Sequence, residues 1–148
     1  MIDCVWQDWN AKVSGSDRFE IYRTFKATTG PEVYLKAITL AKFRYTFVRF
    51  RLGICDLNIN NRYTAKTNMC PFCTKIEDEH HFMFRCSKYS DIRAKYITKH
   101  CKYVHQENLA FVLQTEDVQM VRDIGMFIFY AMKAREESLN PQSSLPVL

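Results

Sequence analysis

Glycine and proline are scarce, four of each in 148 residues. That excludes collagen-like repeats and the Gly/Ser-rich or Pro-rich linkers that join separate domains. Long apolar runs are missing as well. The longest, Ile124 to Met132, is nine residues counting Gly125, whereas about 20 are needed to cross a bilayer, so no membrane span is expected. Residues 1–10 include Asp3 and Asp8 and have no basic start followed by an apolar stretch, so the expectation is an intracellular protein without a secretory leader. There is also no Gly-rich phosphate loop, no Gly-x-Ser-x-Gly turn and no His-Glu-x-x-His pair. The chain is therefore not expected to be an enzyme.

Aromatic and apolar residues are plentiful, with 11 Phe, 8 Tyr and 2 Trp, and 47% apolar residues overall. That suffices for one hydrophobic core, and the expectation is a single, mostly α-helical domain over residues 1–138 with a flexible tail at 139–148. The expected helices run from about Asp3 to Val13, from a start capped by Ser16 to a break at Thr28-Thr29-Gly30, and onward from Pro31. Leu40, Phe43, Phe47, Phe50 and Ile54 recur at spacings of 3, 4, 3 and 4, which places them on one helix face. The Asn- and Thr-rich segment Asp56 to Asn68 reads as loop. A helix from Ser87 or Ser90 to His100 follows, and a last one starts at Thr115-Glu116-Asp117 and runs to about Glu137. It should pack through Met120, Val121, Ile124, Phe127, Ile128 and Ala131.

Six cysteines stand at 4, 55, 70, 73, 86 and 101. In an intracellular protein they are expected to be reduced, and clustered thiols beside a histidine then read as metal ligands. Cys70-Pro71-Phe72-Cys73 spaces two thiolates so that one tight turn aims both at a single point. His81 and Cys86 lie five apart, a little over a helical turn, and can complete the set. His80 competes with His81, but at six residues from Cys86 it falls nearly opposite on a helix. Four donors close a tetrahedron and leave no position for a catalytic water, so the expected cofactor is one structural zinc ion in a knuckle-like module over about 68–93. Glu77, Asp78 and Glu79 read as a solvated turn. Cys4, Cys55 and Cys101 receive no role.

A longer pattern surrounds these ligands: Arg51-Leu52-Gly53, Leu57-Asn58-Ile59, Asn61-Arg62-Tyr63, Cys70-Pro71-Phe72-Cys73, Glu77-Asp78-Glu79-His80-His81-Phe82, and Cys86 followed by Tyr89 and Arg93. It resembles the zinc-binding region that follows the reverse transcriptase domain in animal non-LTR (LINE-type) retrotransposon polyproteins. The similarity covers about Arg44 to Arg93, with Tyr22, Phe25-Lys26 and Tyr34-Leu35 fitting upstream. It implies the ligand set Cys70, Cys73, His81 and Cys86, and binding to target DNA or template RNA. The chain departs from the family in lacking a Tyr-x-Asp-Asp polymerase motif, and Asn61 stands where a glycine is usual.

Charge is unevenly spread. Residues 18–66 hold ten basic and three acidic side chains, although the whole chain has a net charge of only +5. A nucleic-acid reading uses Arg49, Arg51, Arg62 and Lys66 for phosphates and Tyr63 for stacking. The plainer reading leaves Lys42 and Arg49 solvated and pairs Arg44 and Arg51 with carboxylates. A second functional reading is a zinc-stabilised interaction scaffold. Met126, Phe129 and Tyr130 lie off the main apolar stripe of the last helix, so residues 118–132 present themselves to a protein partner or a second copy.

Overall fold

The computed structural model describes residues 2–26, 29–61, 66–100 and 107–141. Among these residues the chain is mostly helical and forms no strand, and one isolated antiparallel bridge joins Met69 to Ile76. The described residues include no helix long and apolar enough to cross a membrane.

Helix α1 (Ile2–Ser14) carries Val5, Trp9 and Val13 at four-residue spacing. Val13 is buried and Trp9 meets the edge of the Tyr22 ring, but Val5 and Trp6 remain exposed. The helix expected from Ser16 starts later. Phe19 N–H donates to the Ser16 carbonyl, making a 3-10 turn (Asp17–Phe19), and α2 (Glu20–Phe25) follows without a side-chain cap. Pro31 does not open a helix; the carboxylate of the next residue, Glu32, lies against Lys26 and Arg51. Only a single turn, α3 (Tyr34–Ala37), forms beyond it.

Helix α4 (Ala41–Arg51) buries Phe43, Phe47 and Phe50 as the periodicity predicts. The outer members of that stripe, Leu40 and Ile54, lie past its ends and are exposed. The stop is set by Gly53, whose φ of 64° is open to glycine at little cost. Gly53 N–H reaches the Phe50 carbonyl and Ile54 N–H the Arg49 carbonyl, the paired bonds of a Schellman end.

After the cysteine-containing segment, a 3-10 turn (Ser87–Tyr89) leads into α5 (Ser90–Tyr96), and a second 3-10 turn (Thr98–His100) ends that region. Helix α6 (Leu109–Gln114) was not expected from the sequence. Its cap is Asn108, whose side chain accepts from Phe111 N–H at 2.9 Å. Helix α7 (Val118–Leu139) is capped by Asp117, which accepts from Met120 N–H at 2.7 Å. It runs through the centre of the molecule against α3, α4 and α5. Met120, Val121, Ile124, Phe127, Ile128 and Ala131 are all buried. A β-carbon on Gly125 would sit 2.8 Å from Ile38 Cδ1, so the glycine permits this close approach beside α3.

Part of the apolar surplus of α7 packs inside the molecule. Phe129 packs edge-on against Phe43 at 5.0 Å, and Tyr130 stacks on Tyr96 at 5.8 Å. Tyr130 is still 36% exposed and Val118 46% exposed, so packing takes up only part of the apolar face over 118–132. Residues 142–148, most of the expected tail, lie outside the described residues, as does Cys101.

Candidate metal centre

The segment from Met69 to Cys86 is held from three directions. Cys70 N–H donates to the Lys75 carbonyl at 2.7 Å, closing a turn that presents Cys70 and Cys73 to one side. The other two donors come from a π turn (His81–Arg85) in which Cys86 N–H bonds the His81 carbonyl at 2.8 Å. An ordinary helix would not superimpose residues five apart. A π turn closes from i to i+5, which brings His81 and Cys86 into register. Asp78 fixes its start by accepting from His81 N–H at 2.7 Å. Arg93, on α5, fixes its end by donating to the carbonyls of Met83, Phe82 and Cys86.

The result gathers Cys70, Cys73, His81 and Cys86 with their ligand atoms within 4.8 Å of one another, an arrangement that can hold a metal ion. Cys70 Sγ and Cys86 Sγ are 3.8 Å apart, and Cys73 Sγ is 3.1 Å from His81 Nε2. His80 turns the other way. Its Nε2 lies 3.1 Å from the Glu107 carbonyl, and its ring packs on Phe84. Burial pushes the Cys70 thiol up to about 12 and raises Cys86 too, while it lowers His81 and favours the neutral imidazole that ligates metals. Three soft sulfurs and one nitrogen, converging in a site whose burial disfavours free thiolates, suit a cation that supplies the missing positive charge.

The acidic triplet corrects a sequence expectation. Glu77 is 1% exposed and Glu79 2% exposed, so neither belongs to a solvated turn. Glu77 takes two hydrogen bonds of 2.8 Å from Arg135 Nε and Nη2 on α7, and another from Asn58 N–H. Glu79 accepts from Asn60 Nδ2 at 2.7 Å. The asparagines of the preceding loop are thus polar ties to the metal segment, and Asn58 also donates to the Met69 carbonyl. Phe82, fully buried, ties the same segment to the core through Phe50, Tyr89 and Phe127.

The residues nominated for nucleic acid separate. Arg51 is 5% exposed, its guanidinium lies against Phe25, Tyr34 and Phe47, and it pairs with Glu32, so it is no surface phosphate contact. Arg49 stays half-buried, donating to Tyr45 Oη and the Ile54 carbonyl and facing Asp56 at 3.6 Å. Lys66 is exposed, and Arg62 and Tyr63 lie outside the described residues. Arg44 turns back to the Ile38 carbonyl, and Lys42 rests over Phe43 and Phe129. Sequence reasoning overlooked Tyr45, whose exposed ring stands beside Arg49 at the mouth of a groove of about 740 Å³ between α4 and the C-terminal half of α7. Its i, i+4 position relative to Arg49 was the available signal. Phe129, Met132 and Lys133 line the same groove, with Asp56 and Glu136 on its walls.

Among family models, curated proteins and solved structures, none matches this chain.

Proposed function

We propose that the chain is a nucleic-acid-binding module organised by one structural zinc ion. The convergence of Cys70, Cys73, His81 and Cys86 carries the reading. For zinc–sulfur bonds of about 2.3 Å a tetrahedron requires sulfurs about 3.8 Å apart, and Cys70 and Cys86 stand at that separation. When bound, zinc supplies tetrahedral cross-linking and nothing reactive, since four protein donors leave no open position. The chain's own residues do the rest. Asp78 and Arg93 orient the turn, and Glu77 fastens it to α7.

The nucleic-acid half of the proposal rests on the resemblance of the Arg44–Arg93 sequence to LINE-type reverse transcriptase tails and on the basic residues of 18–66 that remain accessible, Arg49 and Lys66. Tyr45, Arg49 and Lys133 around the α4–α7 groove offer a stacking ring and two cations, the pairing used for single strands. The chain lacks polymerase residues, so binding rather than synthesis is the activity proposed. Protein purified without added metal should contain one zinc per chain. Its affinity for an oligonucleotide should fall steeply with salt, and Arg49→Ala should reduce the slope of log K against log salt by about one unit. Salt-independent association, or none at low salt, would remove the nucleic-acid half while leaving the metal half standing.

A further inference from the structure

A second pocket, of about 570 Å³, opens between the turn that joins α1 to α2 and the residues just after α4. Its described lining holds three carboxylates, Asp17, Glu20 and Glu79, and no lysine, arginine or histidine. None of them forms an ion pair among the described residues. Asp17 and Glu20 are exposed, whereas Glu79 is 2% exposed. Glu79 Oε1 accepts from Asn60 Nδ2 at 2.7 Å and faces Cys55 Sγ at 3.9 Å, but no other described residue donates to Oε2. Oε2 is not sealed off either, since the covered side-chain atoms without a partner belong to Glu32, Arg51 and Tyr89. A buried carboxylate with no cation opposite it is costly, and a bound cation that donates to it removes that cost. The three carboxylates do not converge as metal ligands do, because among the described residues such donors gather only at Cys70, Cys73, His81 and Cys86. Between them stand Ile21, Ile54 and Ile59, and Ile54 is 41% exposed.

We propose that this pocket binds a linear aliphatic polyamine, with one ammonium group on Glu79 Oε2, another toward Asp17 and Glu20, and the methylene stem along the isoleucines. Negative points separated by apolar wall match charges spaced along methylenes, whereas a compact metal ion needs its oxygen ligands around one centre. The volume falls within the range of small-molecule sites. The chain as a whole has a net charge of +5, which repels a polycation, so the attraction is local to these carboxylates. The site stands apart from the nucleic-acid reading and does not need it.

Calorimetric titration of the full metal-loaded chain, purified free of nucleic acid, with spermidine at low salt tests the site. Magnesium, a compact dication without a stem, and n-butylamine, a stem with a single charge, are the controls. Saturable binding of spermidine at a single site is expected, with much weaker binding of either control. Glu79→Gln should weaken it about tenfold, and Asp17→Asn and Glu20→Gln, at exposed positions, about two- to fivefold each. Zinc content is measured alongside, because Glu79 is close to His81 in sequence. If Glu79→Gln misfolds or loses its metal, the double variant Asp17→Asn/Glu20→Gln still decides. No saturable binding at about 1 mM spermidine, equal uptake of magnesium or butylamine, or a double variant that binds like the parent would overturn the proposal.

Discussion

His80 and His81 are adjacent, and the backbone alone gives them different surroundings. The π turn aims His81 Nε2 at Cys73 Sγ, while His80 sits against Phe84 and the Glu107 carbonyl. His81→Ala should therefore abolish the full complement of bound metal, and His80→Ala should keep one ion per chain. Metal analysis after gel filtration, with cobalt absorption as a second reading of thiolate ligation, measures both. Equal loss in the two variants would mean the ligand set is wrong. Residue type and spacing made Cys70, Cys73 and Cys86 legible in the sequence. The choice of histidine was less so, because α-helical periodicity says nothing about a turn closing over five residues. For Arg51 the plainer reading, pairing with a carboxylate, is the one the structure bears out, but the identity of that carboxylate was hidden for a similar reason. Its place beside the apolar line was visible, but its partners Glu32, Phe25 and Tyr34 lie on other elements that no local pattern connects to it.

At the scale of elements, α4 and α7 were readable because each carries an uninterrupted apolar period and a chemically distinct terminus, Gly53 after one and Asp117 before the other. Helix α6 was readable in principle, since Asn108 precedes Leu109-Ala110-Phe111-Val112-Leu113, but so short a run gives little periodicity to detect. The junction of α7 with the segment after α5 could not be read at all. There Asp123, 1% exposed, sits 2.8 Å from His100 Nε2, 3.0 Å from Lys99 Nζ and 3.2 Å from Gln119 Nε2. Burial alone would raise its carboxyl, yet the hydrogen bonds from His100, Lys99 and Gln119 outweigh burial and hold it below the ordinary aspartate value. A carboxyl depressed on folding stabilises the native state above its unfolded value of about 4, and that contribution disappears as pH falls through the lower, folded value. Comparing denaturant midpoints of the parent and Asp123→Asn should show a gap that is open at pH 6 and narrows as pH falls toward about 4, followed over the range in which both proteins keep their metal and a cooperative transition. A gap unchanged across that range would contradict the assignment.

Across the whole molecule, the metal segment is fastened to the core by Phe82, which meets Phe50, Tyr89 and Phe127, and by the buried Glu77–Arg135 pair. Neither tie is independent of the turn that carries it. Without an ion, the thiols and the histidine no longer cross-link the two halves of the turn, and the hydrogen bonds from Arg93, Arg135 and Asp78 are left to hold Phe82 and Glu77 in place. If they leave, Arg135 on α7 is stranded as a buried charge, a loss of several kcal/mol. Structural zinc contributes roughly 10–16 kcal/mol in model peptides, and a whole domain is stable by about 5–15 kcal/mol. The first quantity matches or exceeds the second, so removal of the ion should do more than loosen one loop. Treatment with a strong chelator at neutral pH is expected to abolish the cooperative thermal transition and the near-ultraviolet signal of the packed rings. Part of the far-ultraviolet helical signal should survive, because α7 carries two strong local features, its Asp117 cap and its length of 22 residues. A chelated protein that still melts cooperatively within a few degrees of the parent would show that the helices hold the fold without metal. The cysteine cluster would then have to be explained by binding or redox chemistry instead of by stability.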